Sequence, residues 1–189
     1  SFLEVYEAVK RERATVDFQD LLLRTRDVLA KSSAVRRYFQ GHFDFILGGE
    51  FQDTDPLQIG VAFLLAEDPG GPPTDGWRTV RLLPGKLFLV GDPKQSIYRF
   101  RRADIALYQE AKRLILDSGG EVLALDTSFR TVPSVVGFVN ELFEDVFVDR
   151  EVDPDPLPLS AHRQEEGDGA ATVALVVPPG RLPEDGSRR

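Results

Sequence analysis

Hydrophobic positions in this chain follow two patterns, a helical spacing and short continuous runs. Over residues 1–40, apolar side chains recur every three or four positions between arginines and acids, which predicts helices. Ser33 is the predicted cap of a short helix that ends near Gly41. Continuous apolar runs, which are typical of buried strands, occur at 43–47, 86–90 and 121–125.

A helix is predicted after each of these strands. Asp53-Thr54-Asp55-Pro56 combines an Asp or Thr cap with a proline in the first turn, which indicates a helix start. Asp104 is the predicted cap of a second helix, and Gly119-Gly120 end it. The predicted helices run from the first cap to about Ala66, over 105–117 and over about 133–145.

Buried strands that alternate with helices predict an α/β fold, with a parallel sheet covered by helices on both faces. Ligands of such sheets bind at the carboxyl ends of the strands. The polar turns after residues 47, 90 and 125 all fall at that edge, so we expect their side chains to converge on one site.

Two segments lack a periodic pattern. Residues 67–85 are rich in proline and glycine and predict a loop with a short strand around 79–83. Residues 149–189 are acidic at first, with prolines at 154, 156 and 158, and predict a linker that leads through a candidate strand at 171–177 toward the next domain. We therefore expect a first domain over 1–148.

Composition excludes several classes of protein. The 189 residues are 42% hydrophobic and 29% charged, as in soluble globular proteins. No apolar run approaches the ~20 residues that span a bilayer, so we expect a cytoplasmic protein with no membrane partner. The chain has no cysteine and two histidines, which argues against disulfides and a zinc site. It has no methionine either, and we expect it to be a piece of a longer protein.

The charge is unevenly distributed. A net charge of −8 argues against a general nucleic-acid-binding protein. Residues 94–113 are nevertheless basic, with only Asp104 and Glu110 against six cations, namely Lys94, Arg99, Arg101, Arg102, Lys112 and Arg113. Such a run is either a solvated face or a DNA contact.

The three turns, taken in order, resemble a known set of motifs. They read GEFQDTDPLQ at 49–58, GDPKQSIYRFRRAD at 91–104 and LDTSFRT at 125–131, and VDFQDLL precedes them at 16–22. The turns are similar to motifs II, III and IV of the UvrD/Rep/PcrA class of superfamily-one DNA helicases, and most similar to the AddA and RecB branch. The resemblance covers roughly residues 15–147.

The resemblance implies that residues 1–148 are the later part of a RecA-like P-loop NTPase motor domain, domain 1A of the helicase. Such a motor uses ATP and Mg²⁺ to move along single-stranded DNA and to unwind duplex DNA in repair and recombination. Its implied partners are DNA, the rest of the helicase polypeptide and a helicase–nuclease partner subunit.

The resemblance also implies roles for single residues near the nucleotide. Glu50 matches the glutamate that orients and deprotonates the attacking water, beside the Mg²⁺. Gln95 resembles the glutamine that contacts the γ-phosphate, and Arg130 matches the arginine that stabilises its charge. Asp92 is either a partner of the metal site or a turn cap. The alternatives are a solvated acid for Glu50, a turn amide for Gln95 and a surface ion pair for Arg130.

Two further groups of residues have open alternatives. Gln52 and Asp53 match positions that couple the ATP site to motif III, or they are ordinary hydrogen-bonded turn residues, with Asp53 as a helix cap. Tyr98 and Phe100 resemble aromatics of the DNA path and are otherwise core residues. The interleaved Arg99, Arg101 and Arg102 favour the DNA contact, since cations among aromatics bind single strands without sequence preference.

The chain also departs from the family pattern. The phosphate-binding sequence GxxxxGK[ST] is absent, Arg102 replaces a usual glycine, and Gly49 stands where the aspartate of motif II is expected. We therefore expect no ATPase activity from the isolated chain. The alternative interpretation is a degenerate, non-catalytic relative that serves as a scaffold or DNA-binding subunit.

Overall fold

The computed structural model describes residues 2–72, 74–96, 105–144 and 157–164. The chain divides into two compact units, Ser1–Leu123 and Ala124–Arg189. The predicted helix cap Asp104 and the candidate strand at 171–177 lie outside the described residues, as does the predicted domain boundary at 148.

Three helices open the first unit: α1 (Phe2–Glu12), α2 (Phe18–Lys31) and α3 (Ser33–Gln40). Asp17 caps α2 in a reciprocal capping box with Asp20. The cap of α3 is Ser32 and not the predicted Ser33, because Ser32 keeps an extended backbone while Ser33 is already helical. The Ser32 hydroxyl accepts a hydrogen bond from the backbone N–H of Val35 at 3.3 Å.

The sheet of the first unit consists of two parallel strands, β1 (Ile46–Gly48) and β2 (Leu87–Leu89). Both are shorter than predicted, and helix α4 (Pro56–Ala66) lies between them in the sequence. Parallel strands need a crossover connection of this kind, so the α/β prediction is confirmed at the level of mixed helices and parallel strands.

The two faces of this sheet differ. Ile46, Leu87 and Leu89 pack against the hydrophobic core on the inner face. The residues of the outer face are exposed, and Leu47 lies opposite Phe88 in the register. The predicted second layer of helices is therefore not found among the described residues. The buried core consists of Leu29, Phe51, Ile59, Phe63, Leu64, Ala66, Trp77, Val80, Leu82, Leu107 and Ala111.

Helix α4 forms where the sequence predicts it. Asp55 is its cap and accepts hydrogen bonds from the N–H groups of Leu57 and Gln58, while Pro56 occupies the first turn. The helix ends at Ala66, as predicted. The side-chain amide of Gln40, at the end of α3, donates to the carbonyl oxygen of Leu64 at 2.9 Å and satisfies one of the last carbonyls of α4.

The loop after α4 is anchored by a buried ion pair. Arg36 on α3 lies 3.2 Å from Glu67, and both side chains are more than nine-tenths buried. Arg36 also donates to the carbonyl oxygen of Thr74, and the Thr74 hydroxyl donates to Glu67. The strand predicted at 79–83 is reduced to one antiparallel bridge between Glu67 and Leu82.

Helix α5 (Ile105–Asp117) has the predicted bounds, and Gly119 beyond it has a positive φ of 85°. The strand predicted at 121–125 is wrong, because those residues form no strand. Leu123 and Leu125 are 80% and 85% exposed, so this segment is not buried in a sheet. A strand also needs a neighbouring strand to accept and donate its backbone hydrogen bonds.

The second unit contains β3 (Thr127–Ser128), α6 (Pro133–Glu144) and β4 (Ser160–Ala161), and β3 and β4 pair in parallel. Asn140 on α6 holds the strand segment, since its side chain donates to the carbonyl oxygen of Leu159 and accepts from its N–H. No helix in the described part of the chain has the length and hydropathy needed to cross a membrane.

Candidate functional site

The turn after β1 carries Glu50 in a strained backbone conformation. Its φ and ψ are 52° and 41°, in the left-handed region that side chains other than glycine rarely adopt. A single 3₁₀ turn, Phe51–Asp53, follows directly. The N–H of Phe51 donates to the carbonyl oxygen of Val90 at 3.0 Å, so this turn lies across the end of β2. Strain of this kind is common at functional sites.

The turn after β2 is organised by Asp92. Its carboxylate accepts hydrogen bonds from the backbone N–H of Lys94 at 3.1 Å and from the Gln95 side-chain amide at 3.0 Å. The Lys94 ammonium lies 3.0 Å from the same carboxylate. Partial burial would raise the pKa of Asp92, but these hydrogen bonds and the cation outweigh it and hold the pKa below its ordinary value. Asp92 is thus the cap of its turn.

Gln52 joins the two turns. It is 5% exposed, and its side-chain amide donates to Oε2 of Glu50 at 2.6 Å. Its side-chain oxygen accepts from the N–H of Asp92 at 3.0 Å, and its carbonyl accepts from the Ser96 hydroxyl at 3.2 Å. Glu50, Gln52, Asp92 and Gln95 therefore form one hydrogen-bonded chain across the carboxyl ends of both strands.

Gly91 makes this junction possible, and its role is not evident from the sequence motifs. A Cβ atom at Gly91 would lie 3.0 Å from Cβ of Phe51 and 3.1 Å from the backbone nitrogen of Gln52. Its carbonyl accepts from the Tyr108 hydroxyl at 3.3 Å, and the Tyr108 ring lies 5.5 Å from that of Phe51. The sequence feature that could have identified Gly91 is its position directly after an apolar strand, since a glycine there often marks a close approach of two backbones.

Asp53 is not a helix cap, because Asp55 performs that function for α4. Its Oδ1 atom is buried and has no hydrogen-bond partner among the described residues. A buried carboxylate oxygen without a partner is costly and is rare in native structures. The coupling role that the resemblance implies for Asp53 stays a prediction.

The side chains of these two turns do not fit a divalent cation. Magnesium is held through oxygen ligands, with one or two carboxylates from the protein. One oxygen of Glu50, Oε2, accepts from Gln52, the carboxylate of Asp92 is paired with Lys94 and Gln95, and Gly49 offers no carboxylate. Among the residues the structure describes, no three acidic or histidine side chains form a cluster that could hold a metal.

The remaining predicted site residues belong to the second unit or lie outside the described residues. Arg130 lies in the second unit, where its side chain is exposed and its carbonyl oxygen accepts a hydrogen bond from Arg163 at 3.1 Å. The predicted DNA contacts all lie outside the described residues; they are Tyr98, Arg99, Phe100, Arg101 and Arg102. Their roles stay predictions.

Comparison with known proteins agrees with the motif pattern. The profile of the UvrD/REP helicase N-terminal domain matches residues 1–115. The chain is 32% identical over 161 residues to an ATP-dependent helicase/nuclease subunit of Syntrophomonas wolfei, covering 82% of this chain and 12% of that protein. For the proteins of the same name, the identity is 34% over 157 residues in Enterococcus faecalis and 37% over 158 residues in Geobacillus thermodenitrificans.

Those two matches cover 79% and 77% of this chain. The chain spans about 12% of the length of the curated relatives it matches. The profile match covers more than half of the 189 residues and includes the junction between the two turns. The chain belongs to the UvrD/REP helicase family.

Proposed function

We propose that this chain is part of the first RecA-like P-loop motor domain of an ATP-dependent DNA helicase of the AddA type. The motor couples ATP hydrolysis to translocation along single-stranded DNA and to duplex unwinding, in DNA repair and recombination. The observation that supports this best is the hydrogen-bonded chain from Glu50 through Gln52 and Asp92 to Gln95.

Such a chain suits a motor because it connects two groups that act at different points of the nucleotide. In the proposed mechanism Glu50 orients the attacking water and takes its proton, and Gln95 contacts the γ-phosphate. Gln95 is exposed at the end of its turn, so its amide is free to exchange Asp92 for a phosphate oxygen. Any shift of Asp92 reaches Glu50 through the buried Gln52.

Arg130 is proposed to stabilise the charge of the transferring phosphoryl group. The phosphates also need a cradle, and the GxxxxGK[ST] sequence is not found in these 189 residues. We therefore propose that a longer polypeptide supplies it. The exposed outer strand face supports this, since Leu47 and Phe88 are 76% and 59% exposed where parallel strands are normally buried on both faces.

The proposed substrate and partners follow from the same function. The motor would take ATP with Mg²⁺ and bind single-stranded and duplex DNA, in the cytoplasm. The relatives are named as one subunit of a helicase/nuclease, which supports a partner polypeptide in the same complex. Residues 98–102 are proposed to contact the single strand by stacking and by charge.

The function is tested on the polypeptide from the complete open reading frame. We expect ATP hydrolysis that single-stranded DNA stimulates, and its loss in a Glu50→Gln variant. Asp44→Asn, a change at an exposed residue outside the three turns, is the control and should hydrolyse ATP normally. Hydrolysis that survives Glu50→Gln contradicts the assignment. Turnover by the purified 189-residue chain that Glu50→Gln abolishes would overturn the separate expectation that the isolated chain is inactive.

The DNA contact has its own test. Fluorescence anisotropy with a labelled single-stranded oligonucleotide should show binding that weakens as salt rises. Tyr98→Ala should weaken it further, since stacking of a base contributes about 1–3 kcal/mol. Binding that is indifferent to salt, or to Tyr98→Ala, would remove the proposed contact.

A second candidate function is supported by Gly49, which occupies the expected position of a metal-binding aspartate. In this case the protein is a non-catalytic relative that serves as a scaffold or a DNA-binding subunit. The sequence and activity of the complete polypeptide distinguish the two functions. An intact GxxxxGK[ST] sequence and ATP turnover favour the motor, whereas a broken sequence and DNA binding without turnover favour the scaffold.

A further inference from the structure

The two glycines at the end of β1 are under different constraints. A Cβ atom at Gly48 would lie 2.7 Å from Cδ2 of Leu89, because residue 48 is on the inner face of the sheet. A Cβ atom at Gly49 would meet nothing within 4 Å, and Gly49 does not have a positive φ. A side chain at residue 48 thus requires the end of the Leu89 side chain to shift, whereas the packing places no restriction on residue 49.

Gly49 also lies where a ligand would need a carboxylate. It precedes Glu50 at the carboxyl end of β1, and both residues are exposed. Asp92 is neutralised by Lys94 at 3.0 Å, and Oδ1 of Asp53 is buried. Glu50 is therefore the exposed carboxylate of the turn, and its Oε2 already accepts a hydrogen bond from Gln52. Magnesium in proteins is held by one or two carboxylates together with substrate phosphates, so a single, partly engaged carboxylate falls short of a site.

We infer that the turn at Gly49 and Glu50 does not bind a divalent cation in the absence of a nucleotide, and that Gly49→Asp alone creates such a site without disturbing the fold. The inference rests on the proposed function, which is what places a cation at this strand end. According to this inference, the turn lacks a cation site because residue 49 has no carboxylate, and not because the backbone has a different conformation. The hydrogen bonds of Gln52 to Glu50 and Asp92 do not involve residue 49, so we expect them to persist in the variant.

Iron-directed cleavage tests this on the 189-residue chain. Fe²⁺ substitutes for Mg²⁺ at oxygen sites, and with ascorbate and peroxide it cuts the backbone next to the site it occupies. We expect Gly49→Asp to be cut within residues 46–56, and Mg²⁺ to suppress the cut. The unchanged chain and Gly49→Asn, which has nearly the same shape without the charge, should show no cut there.

The possible results separate cleanly. A cut at 46–56 in the unchanged chain that Glu50→Gln removes shows that the turn already binds a cation, and overturns the inference. A folded Gly49→Asp chain without a cut overturns it as well, and so does Gly49→Asp that has lost the circular dichroism of the parent. Failure of the proposed helicase function would appear in the ATPase assay of the complete polypeptide, whatever the cleavage pattern.

Discussion

The side-chain amide nitrogen of Gln52 lies 2.6 Å from Oε2 of Glu50, so a buried residue fixes an exposed carboxylate. Glu50 has an unfavourable backbone conformation, with φ of 52°, and this contact helps to hold it there. The other end of the same amide accepts from the N–H of Asp92. The side chain of Gln52 therefore helps to set the relative position of the two turns, together with the backbone hydrogen bond from Phe51 to Val90.

Replacement of Gln52 tests this dependence. Gln52→Ala leaves the N–H of Asp92 without its partner in a partly buried site, and leaves a void at a position that is 5% exposed. We expect a loss of about 2–3 kcal/mol in the free energy of unfolding, measured by urea denaturation. Gln95→Ala removes one exposed hydrogen bond and should cost less than about 0.5 kcal/mol. Equal losses in the two variants would contradict the structural role of Gln52.

Alanine substitutions at Gly91 and at Gly49 together test the packing of the junction, since the first position is crowded and the second is open. Gly91→Ala places a methyl group 3.0 Å from Cβ of Phe51 and 3.1 Å from the backbone nitrogen of Gln52, which have little room to move. We expect it to lower the free energy of unfolding by about 1–3 kcal/mol.

Gly49→Ala meets no atom within 4 Å and restricts the unfolded chain. It should leave the stability unchanged or raise it by up to about 1 kcal/mol. Urea denaturation midpoints, compared at constant slope, measure both changes. A Gly91→Ala variant as stable as Gly49→Ala would show that the two turns do not approach each other closely at residue 91.

The ion pair between Arg36 and Glu67 is buried, whereas that between Arg78 and Glu110 is largely exposed. Glu67→Gln leaves the Arg36 guanidinium buried without a counter-charge, and we expect a loss of about 3–5 kcal/mol. The same change at Glu110 breaks a solvated pair and should cost less than about 1 kcal/mol. Thermal and urea unfolding compare the two variants, and similar losses would refute the distinction.

The sequence predicted best what local chemistry determines. The bounds of α4 and α5 follow from Asp55-Pro56 and from the glycines after Asp117, and both helices form as expected. The strand predicted at 121–125 failed because an apolar run becomes a strand only beside another strand, which the pattern does not encode.

The sequence predicted only part of the candidate site, because the rest depends on contacts between residues that are distant in the sequence. The motifs identified Glu50, Gln52, Asp92 and Gln95, and the resemblance implied that Gln52 couples the ATP site to motif III. They did not identify the hydrogen bonds by which Gln52 bridges two turns that lie 40 residues apart. Gly91 was missed because its importance comes from Phe51, its neighbour in space and not in the sequence. Contacts of this kind depend on the crossover through α4, which brings the two strands together.

Low pH should lower the stability of the folded protein, because protonation of Asp92 weakens the hydrogen bonds and the ion pair of the turn after β2. Its pKa in the folded protein lies below the ordinary value of 3.8, so its ionised form stabilises the fold at higher pH. This contribution is complete above the unfolded-state pKa and is lost as the pH falls through the lower folded-state value. Asp92→Asn removes it at every pH, so the stability gap between the parent and this variant should close between about pH 5 and pH 2. Urea denaturation across this range measures the gap, with exposed Asp44→Asn as the control; a gap that does not depend on pH would contradict the assignment.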